Sequence, residues 1–87
     1  MIRSFACADT EALFNSRAVA RFRNIERVAR RKLLQIHAAT ELASLRIPPG
    51  NRLESLKGNR KGQHSIRVND QWRICFVWTQ EGPEHVE

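Results

Sequence analysis

Residues 65–78 alternate apolar and polar side chains in a pattern that a single β-hairpin register satisfies. Ile66, Val68, Trp72, Ile74, Phe76 and Trp78 share one face if Val68 lies opposite Trp72. Asn69-Asp70-Gln71 is then a three-residue loop. A two-residue loop sets Val68 against Gln71 and Ile66 against Arg73, which mixes the core and solvent faces. The loop holds no Gly, so any positive φ it needs falls on Asn69, Asp70 or Gln71, and Asn and Asp tolerate that best.

The same register puts Arg67 directly opposite Arg73 on the other face. Like charges facing each other across two strands destabilise a hairpin. A bound phosphate converts that repulsion into a clamp, because each guanidinium can give two charge-assisted hydrogen bonds. The plainer alternative is a pair of solvated strand residues. Lys57 and the Arg60-Lys61 turn come shortly before the hairpin and extend the same cationic area.

Upstream, Phe22, Ile25, Ala29, Leu33 and Ile36 recur at steps of three and four, which predicts a helix from Val19 to Thr40 or Ala43. Arg23, Arg27, Arg30 and Arg31 fall off its apolar stripe. They form either a solvated face or a docking surface for RNA or an acidic partner. Asp9 or Thr10 is placed to cap a short helix over Glu11–Asn15. Met1–Phe5 reads as a short strand. Arg46-Ile47-Pro48-Pro49-Gly50 ends the helical region, since two prolines cannot continue it. Leu53–Leu56 reads as a short strand, Lys57–Gly62 as a turn, and His85-Val86-Glu87 as the start of a further strand.

Eighty-seven residues fit one domain of marginal stability, which a partner that adds buried area would help. Fifteen Lys and Arg oppose nine Asp and Glu, a net charge of +6, and twelve of the fifteen are Arg. An Arg-rich excess favours a polyanion, most simply nucleic acid, because the planar guanidinium fork matches phosphate. An inert basic surface and an acidic protein partner are the alternatives. Cys7 and Cys75 match no metal spacing and read as two buried reduced thiols. His64 reads as a general acid or base, a base-stacking group or a strand-end surface residue. His37 and His85 read as structural. No motif supports a metal, a nucleotide cofactor or a Ser hydrolase, so no cofactor is expected. No apolar run approaches a membrane span, and the first residues lack a signal-peptide core, so the expectation is a cytoplasmic protein without a membrane partner.

The N-terminal MIRSFACADTEALF, the central PPGNRLESLKGNRKGQHSIRVNDQWRICFVW and the trailing GPEHVE resemble the HigB-type toxins of the RelE superfamily. The resemblance covers nearly the whole chain. It implies an α+β RelE-like fold, with two N-terminal helices packed on one face of a small antiparallel sheet. It implies a ribosome-dependent mRNA endoribonuclease that inhibits translation. It also implies a HigA-type helix-turn-helix antitoxin, so that operator DNA is met only through that partner. Family catalysis holds the scissile phosphate with Arg and Lys while the 2′-hydroxyl attacks. By motif match Arg73, Lys57 and Arg67 are the catalytic carry-overs, and Arg60, Lys61, His64 and Asn69 are RNA contacts. Family members usually end in a D-Y-H-like tail whose His joins the site, and some carry His where Glu54 stands. This sequence shows neither, so the resemblance implies RNA binding with reduced cleavage.

Three functions compete. The first is the toxin ribonuclease. The second is a non-cleaving RNA or ribosome binder, or a module that sequesters antitoxin and tunes operon repression. The third is a DNA-binding regulator, which has the charge but lacks a helix-turn-helix pattern.

Overall fold

The computed structural model describes residues 1–48 and 50–87, so Pro49 of the expected helix stop lies outside the described residues. The elements in chain order are α1 (Ala8–Phe14), α2 (Glu26–Ala38), β1 (Glu54–Ser55), β2 (Gln63–Arg67), β3 (Arg73–Thr79) and β4 (Gly82–Glu84). The strands form one antiparallel sheet in the order β1-β2-β3-β4. Both helices pack against one face of it, which is the α+β, RelE-like arrangement. Among the described residues no helix is long and apolar enough to cross a membrane.

The hairpin has the expected register. Ile66 pairs with Ile74 and Arg67 with Arg73. Val68 N–H donates to the Trp72 carbonyl at 2.9 Å, closing a loop of Asn69-Asp70-Gln71. None of these three takes positive φ, which among described non-glycine residues occurs at Ser16, Arg52 and His85. The side chain of Asn69 closes the loop instead. Its Oδ1 accepts from the backbone N–H of Gln71 and of Trp72, both at 2.9 Å.

The face with the alternating apolar residues is the core. Ile66 and Phe76 are fully buried against Leu33 and Ile36 of α2, together with Leu45 and Val86. Leu13 of α1 joins this cluster. Arg30 ties the helices together, donating from Nε to the Leu13 carbonyl at 3.0 Å while pairing with Glu26 at 3.1 Å.

The predicted long helix is three pieces. A 3-10 turn at Ala20–Phe22 precedes α2, and another at Leu42–Arg46 follows it. A straight helix over the predicted span would run about 37 Å, longer than the 31 Å maximum extent of the molecule. The chain bends at Ile25 (φ −120°, ψ 3°), and Phe22 packs edge-on against Trp72 at 5.5 Å. It bends again at Ala39, and the second turn drops Leu45 into the core. The first helix also starts earlier than expected. Cys7 takes the cap position without a side-chain bond, and Asp9 and Glu11 sit in the first turn, where carboxylates favour the helix dipole.

The expected N-terminal strand reduces to one parallel bridge, Phe5 to Val86. Its neighbour is the segment after β4. Val77 pairs with Glu84, whereas Cys75 exchanges hydrogen bonds with Glu87 at 2.8 and 2.9 Å, so one extra residue intervenes. That residue is absorbed in a bulge at His85, whose φ is 52°. Gly82 is obligatory in the preceding turn, because a Cβ there would lie 2.5 Å from the Met1 carbonyl oxygen. Both cysteines are free and half-buried rather than fully buried. The Thr10 backbone N–H draws the Cys7 thiol below its ordinary range, and burial pushes the Cys75 thiol up.

Candidate nucleic-acid interface

The helices cover one face of the sheet and leave the other open. Strand alternation decides what that open face displays. Arg67 and Arg73 face each other at a position where the backbone groups do not bond across the pair. Val68 N–H goes to Trp72, and Arg67 N–H turns away to the Asn51 carbonyl at 2.6 Å. Such non-hydrogen-bonded pairs bring their side chains closest.

Arg73 is held in one orientation. Its Nε donates to Ser65 Oγ at 2.8 Å. Its Nη2 donates to the Arg52 carbonyl at 2.7 Å and to the Ser65 carbonyl at 3.3 Å. The Glu54 carboxylate lies 3.9 Å from the same nitrogen. Among the described residues Nη1 has no acceptor, and the side chain is 30% exposed. The guanidinium is therefore fixed along one edge and free to donate from the other.

Arg67 pairs with Asp70 of the hairpin loop, whose side chain is 92% exposed. Facing guanidiniums thus do not leave the free protein uncompensated, contrary to the sequence-based argument. Asp70 offsets Arg67, while two carbonyls, a hydroxyl and Glu54 offset Arg73. An exposed pair such as Arg67–Asp70 is worth about 0–1 kcal/mol, so an incoming phosphate can displace Asp70.

The remaining predicted residues divide. Lys57 and Lys61 are exposed on either side of the 3-10 turn Gly58–Arg60. Arg60 donates to Gln63 Oε1 at 3.3 Å and pairs with Glu87 at 2.9 Å, which holds its proton more firmly than usual. Asn69 serves the loop with its carbonyl oxygen, as described above. His64 falls on the other face. It lies opposite Phe76, stacks on that ring at 6.3 Å, and its buried Nδ1 has no partner. His64, an expected RNA contact, is thus not brought together with Arg67 and Arg73, because the same alternation that exposes Arg67 puts His64 on the other face of the sheet.

Ser65 and Glu54 were missed by the sequence reading. Ser65 carried a usable signal, since strand alternation puts it on the same side as Arg67. The Arg52 carbonyl carried none. A second cationic strip, Arg27 and Arg31 of α2 with Arg23 just before it, is exposed on the far side of the sheet. A cavity of about 250 Å³ adjoins Arg73, lined by Arg21 and Arg60 and by apolar residues including Phe22 and Trp72.

The profile of the HigB-like toxin family, the RelE-like toxin of the type II toxin–antitoxin system HigB, matches residues 10–85. The chain belongs to the HigB-like toxin family. The matched span contains Arg52, Glu54, Lys57, Ser65, Arg67 and Arg73. Among individual relatives, Toxin HigB-1 of Vibrio cholerae serotype O1 is 54% identical over 55 residues, 63% of this chain and 58% of the relative. An uncharacterized protein of Haemophilus influenzae is 39% identical over 61 residues, 70% of this chain and 58% of the relative. The chain thus spans 58% of the length of either relative.

In this HigB-like chain the bond from Arg73 to Ser65 has a measurable consequence if the open face binds RNA. Ser65→Ala removes the acceptor of Arg73 Nε and leaves the core untouched. One hydrogen bond to a charged group contributes about 1.5–3 kcal/mol at most, and part of it is recovered from water. Affinity for a single-stranded RNA oligomer, measured by fluorescence anisotropy, is expected to fall by about three- to tenfold.

Proposed function

We propose that this HigB-like chain acts as a ribosome-dependent mRNA endoribonuclease whose open sheet face grips the scissile phosphate. The observation that carries the reading is the state of Arg73. It is fixed by Ser65 and the Arg52 carbonyl, with a free donor edge, and it lies across the strands from a second guanidinium. In this reading Nη1 of Arg73 donates to a non-bridging phosphate oxygen. Arg67 turns from Asp70 to a second oxygen, and Lys57 adds positive charge from the adjoining turn. The ribose 2′-oxygen attacks the phosphorus, and its proton passes to the Glu54 carboxylate beside Arg73. Negative charge builds on the phosphoryl oxygens as the bond to the 5′-oxygen breaks. Prepositioned guanidiniums stabilise that charge without having to reorganise. The products are a cyclic phosphate and a 5′-hydroxyl, the latter needing a proton from solvent. The net charge of +6 suits the ribosome, where message and ribosomal RNA surround the site. Membership of a type II toxin family points to a cognate antitoxin, here a HigA-type helix-turn-helix protein that would also carry the pair to operator DNA.

A second reading, RNA binding without cleavage, is favoured by one observation. The only His among the predicted contacts faces the helices, so the open face offers Glu54 alone for proton transfer among the residues gathered around Arg73. Glu54→Gln separates the two. The chain is expressed without antitoxin, and the 5′ ends of translated messages are mapped. The expected result is cleavage by the unaltered chain, about a hundredfold less by the variant, and RNA affinity within about twofold of the original. Binding without cleavage by the unaltered chain would establish the second reading. Equal cleavage by both would remove Glu54 from the chemistry.

A further inference from the structure

Lys32 is an unusual residue for its position. It lies on α2 and is only 7% exposed, yet no carboxylate pairs with it among the salt bridges of the described residues. A buried ammonium without a counter-charge is unfavourable unless hydrogen bonds compensate it. Burial first, then the neighbouring Arg31 and Arg67, lower its affinity for the proton. A residue needed only to fill space here would more simply be apolar.

Among the described residues its one hydrogen-bond partner is Asn51, whose Oδ1 accepts from Lys32 Nζ. Asn51 is fully buried and committed on every side. Its Nδ2 donates to the Leu45 carbonyl and to Gln35 Oε1, each at 3.1 Å. Its own carbonyl accepts from Arg67 N–H at 2.6 Å. The next residue, Arg52, takes a φ of 46°, a left-handed conformation that non-glycine side chains resist. That conformation accompanies the Arg52 carbonyl that accepts from Arg73 Nη2 at 2.7 Å. The helix, the buried amide, the strained residue and the guanidinium thus form one continuous set of contacts.

We infer that Lys32 is a positioning residue for Arg73, acting through Asn51 and the strained backbone of Arg52. By holding Oδ1, the ammonium anchors Asn51, whose own carbonyl accepts from Arg67 N–H, while the Nδ2 bonds to Leu45 and Gln35 serve stability. That anchorage keeps Arg52 in its strained state with its carbonyl on Arg73. Without it, Arg52 relaxes towards negative φ, and Arg73 loses one of the three acceptors that aim its free edge. The link to RNA rests on Arg73 as the phosphate-binding group. The link to Arg73 order does not, and the test reads it in the free protein.

Two variants pull stability and positioning apart. Lys32→Met replaces the buried cation with an unbranched apolar chain and is expected to fold with a nearly unchanged thermal midpoint, because relief of the buried charge offsets the donor lost to Asn51 Oδ1. The Arg73 Nε–Hε proton should nevertheless exchange with water about tenfold faster, and RNA affinity should fall about tenfold. Asn51→Asp keeps an acceptor for Lys32 but removes the donors to Leu45 and Gln35. It should lower stability while leaving the Arg73 exchange rate and RNA affinity within about twofold of the original. A folded Lys32→Met protein with unchanged Arg73 exchange overturns the inference. So does an Asn51→Asp protein in which Arg73 order falls with stability, and this second variant decides the matter alone if the first does not fold. Should the unaltered protein fail to bind RNA, the proposed function falls while the exchange measurement still tests the positioning.

Discussion

Arg73→Ala should reduce mRNA cleavage by about a hundredfold or more and leave the fold in place. Removing a prepositioned donor from a developing oxyanion typically has an effect of this size. The structural cost is small because the side chain is 30% exposed, and its truncation opens its acceptors, the buried Ser65 Oγ and the Arg52 carbonyl, to water. The thermal midpoint should therefore move by only a few degrees or so, and antitoxin binding should persist. Arg73→Lys should not restore activity. A single ammonium cannot satisfy Ser65 and Arg52 along one edge and donate to phosphate from the other. Primer-extension mapping on a translated message reads the cleavage, and a thermal melt reads the fold. A variant that unfolds would make Arg73 structural instead.

Phe76→Ala should have the largest effect on stability. Phe76 is fully buried at the centre of β3, packed with Ile66 and Ile74 below α2. Truncating a buried Phe costs about 3–5 kcal/mol. A domain of this size has a total stability of roughly 4–13 kcal/mol, so the variant loses about a quarter of it or more. The thermal midpoint should drop by about 15 °C or more, and the chemical-denaturation midpoint should fall in parallel. A loss below about 1 kcal/mol would mean that Phe76 does not sit in a packed core.

The sheet half of the protein was legible because strand alternation has a period of two and one face must be dry. That constraint alone gave the Val68–Trp72 register and the Arg67–Arg73 pairing. It also carried the means to exclude His64, which has the same parity as Ile66, and to include Ser65. The helical half was less legible. An apolar stripe cannot show that the chain bends at Ile25 and Ala39, because residues in a 3-10 turn can supply core side chains at similar spacing. The loop 50–52 was the least legible part. Its role depends on a backbone carbonyl and on a strained φ at Arg52, neither of which has a sequence signature. Lys32 was hidden for a related reason. In a helix rich in Arg it reads as one more exposed cation, and only the packing shows it turned inward to Asn51.

The hairpin loop shows how a sequence signal can be right for a different reason. Asn69 and Asp70 were expected to relieve positive φ. Instead Asn69 closes the loop with its side chain, and Asp70 neutralises Arg67. In the proposed function, Asp70 holds Arg67 in the free protein and yields it at low cost to an incoming phosphate.

In the proposed function, RNA phosphate is gripped on the open sheet face by Arg73 and Arg67. The most direct measurement is a titration of the unaltered protein with a short single-stranded RNA, following the Nε–Hε resonances of the arginines. The expected result is that Arg73 and Arg67 shift together at the lowest RNA concentrations, while Arg23, Arg27 and Arg31 on the far side of α2 do not move. Shifts confined to the α2 arginines, with Arg73 and Arg67 unmoved, would contradict it.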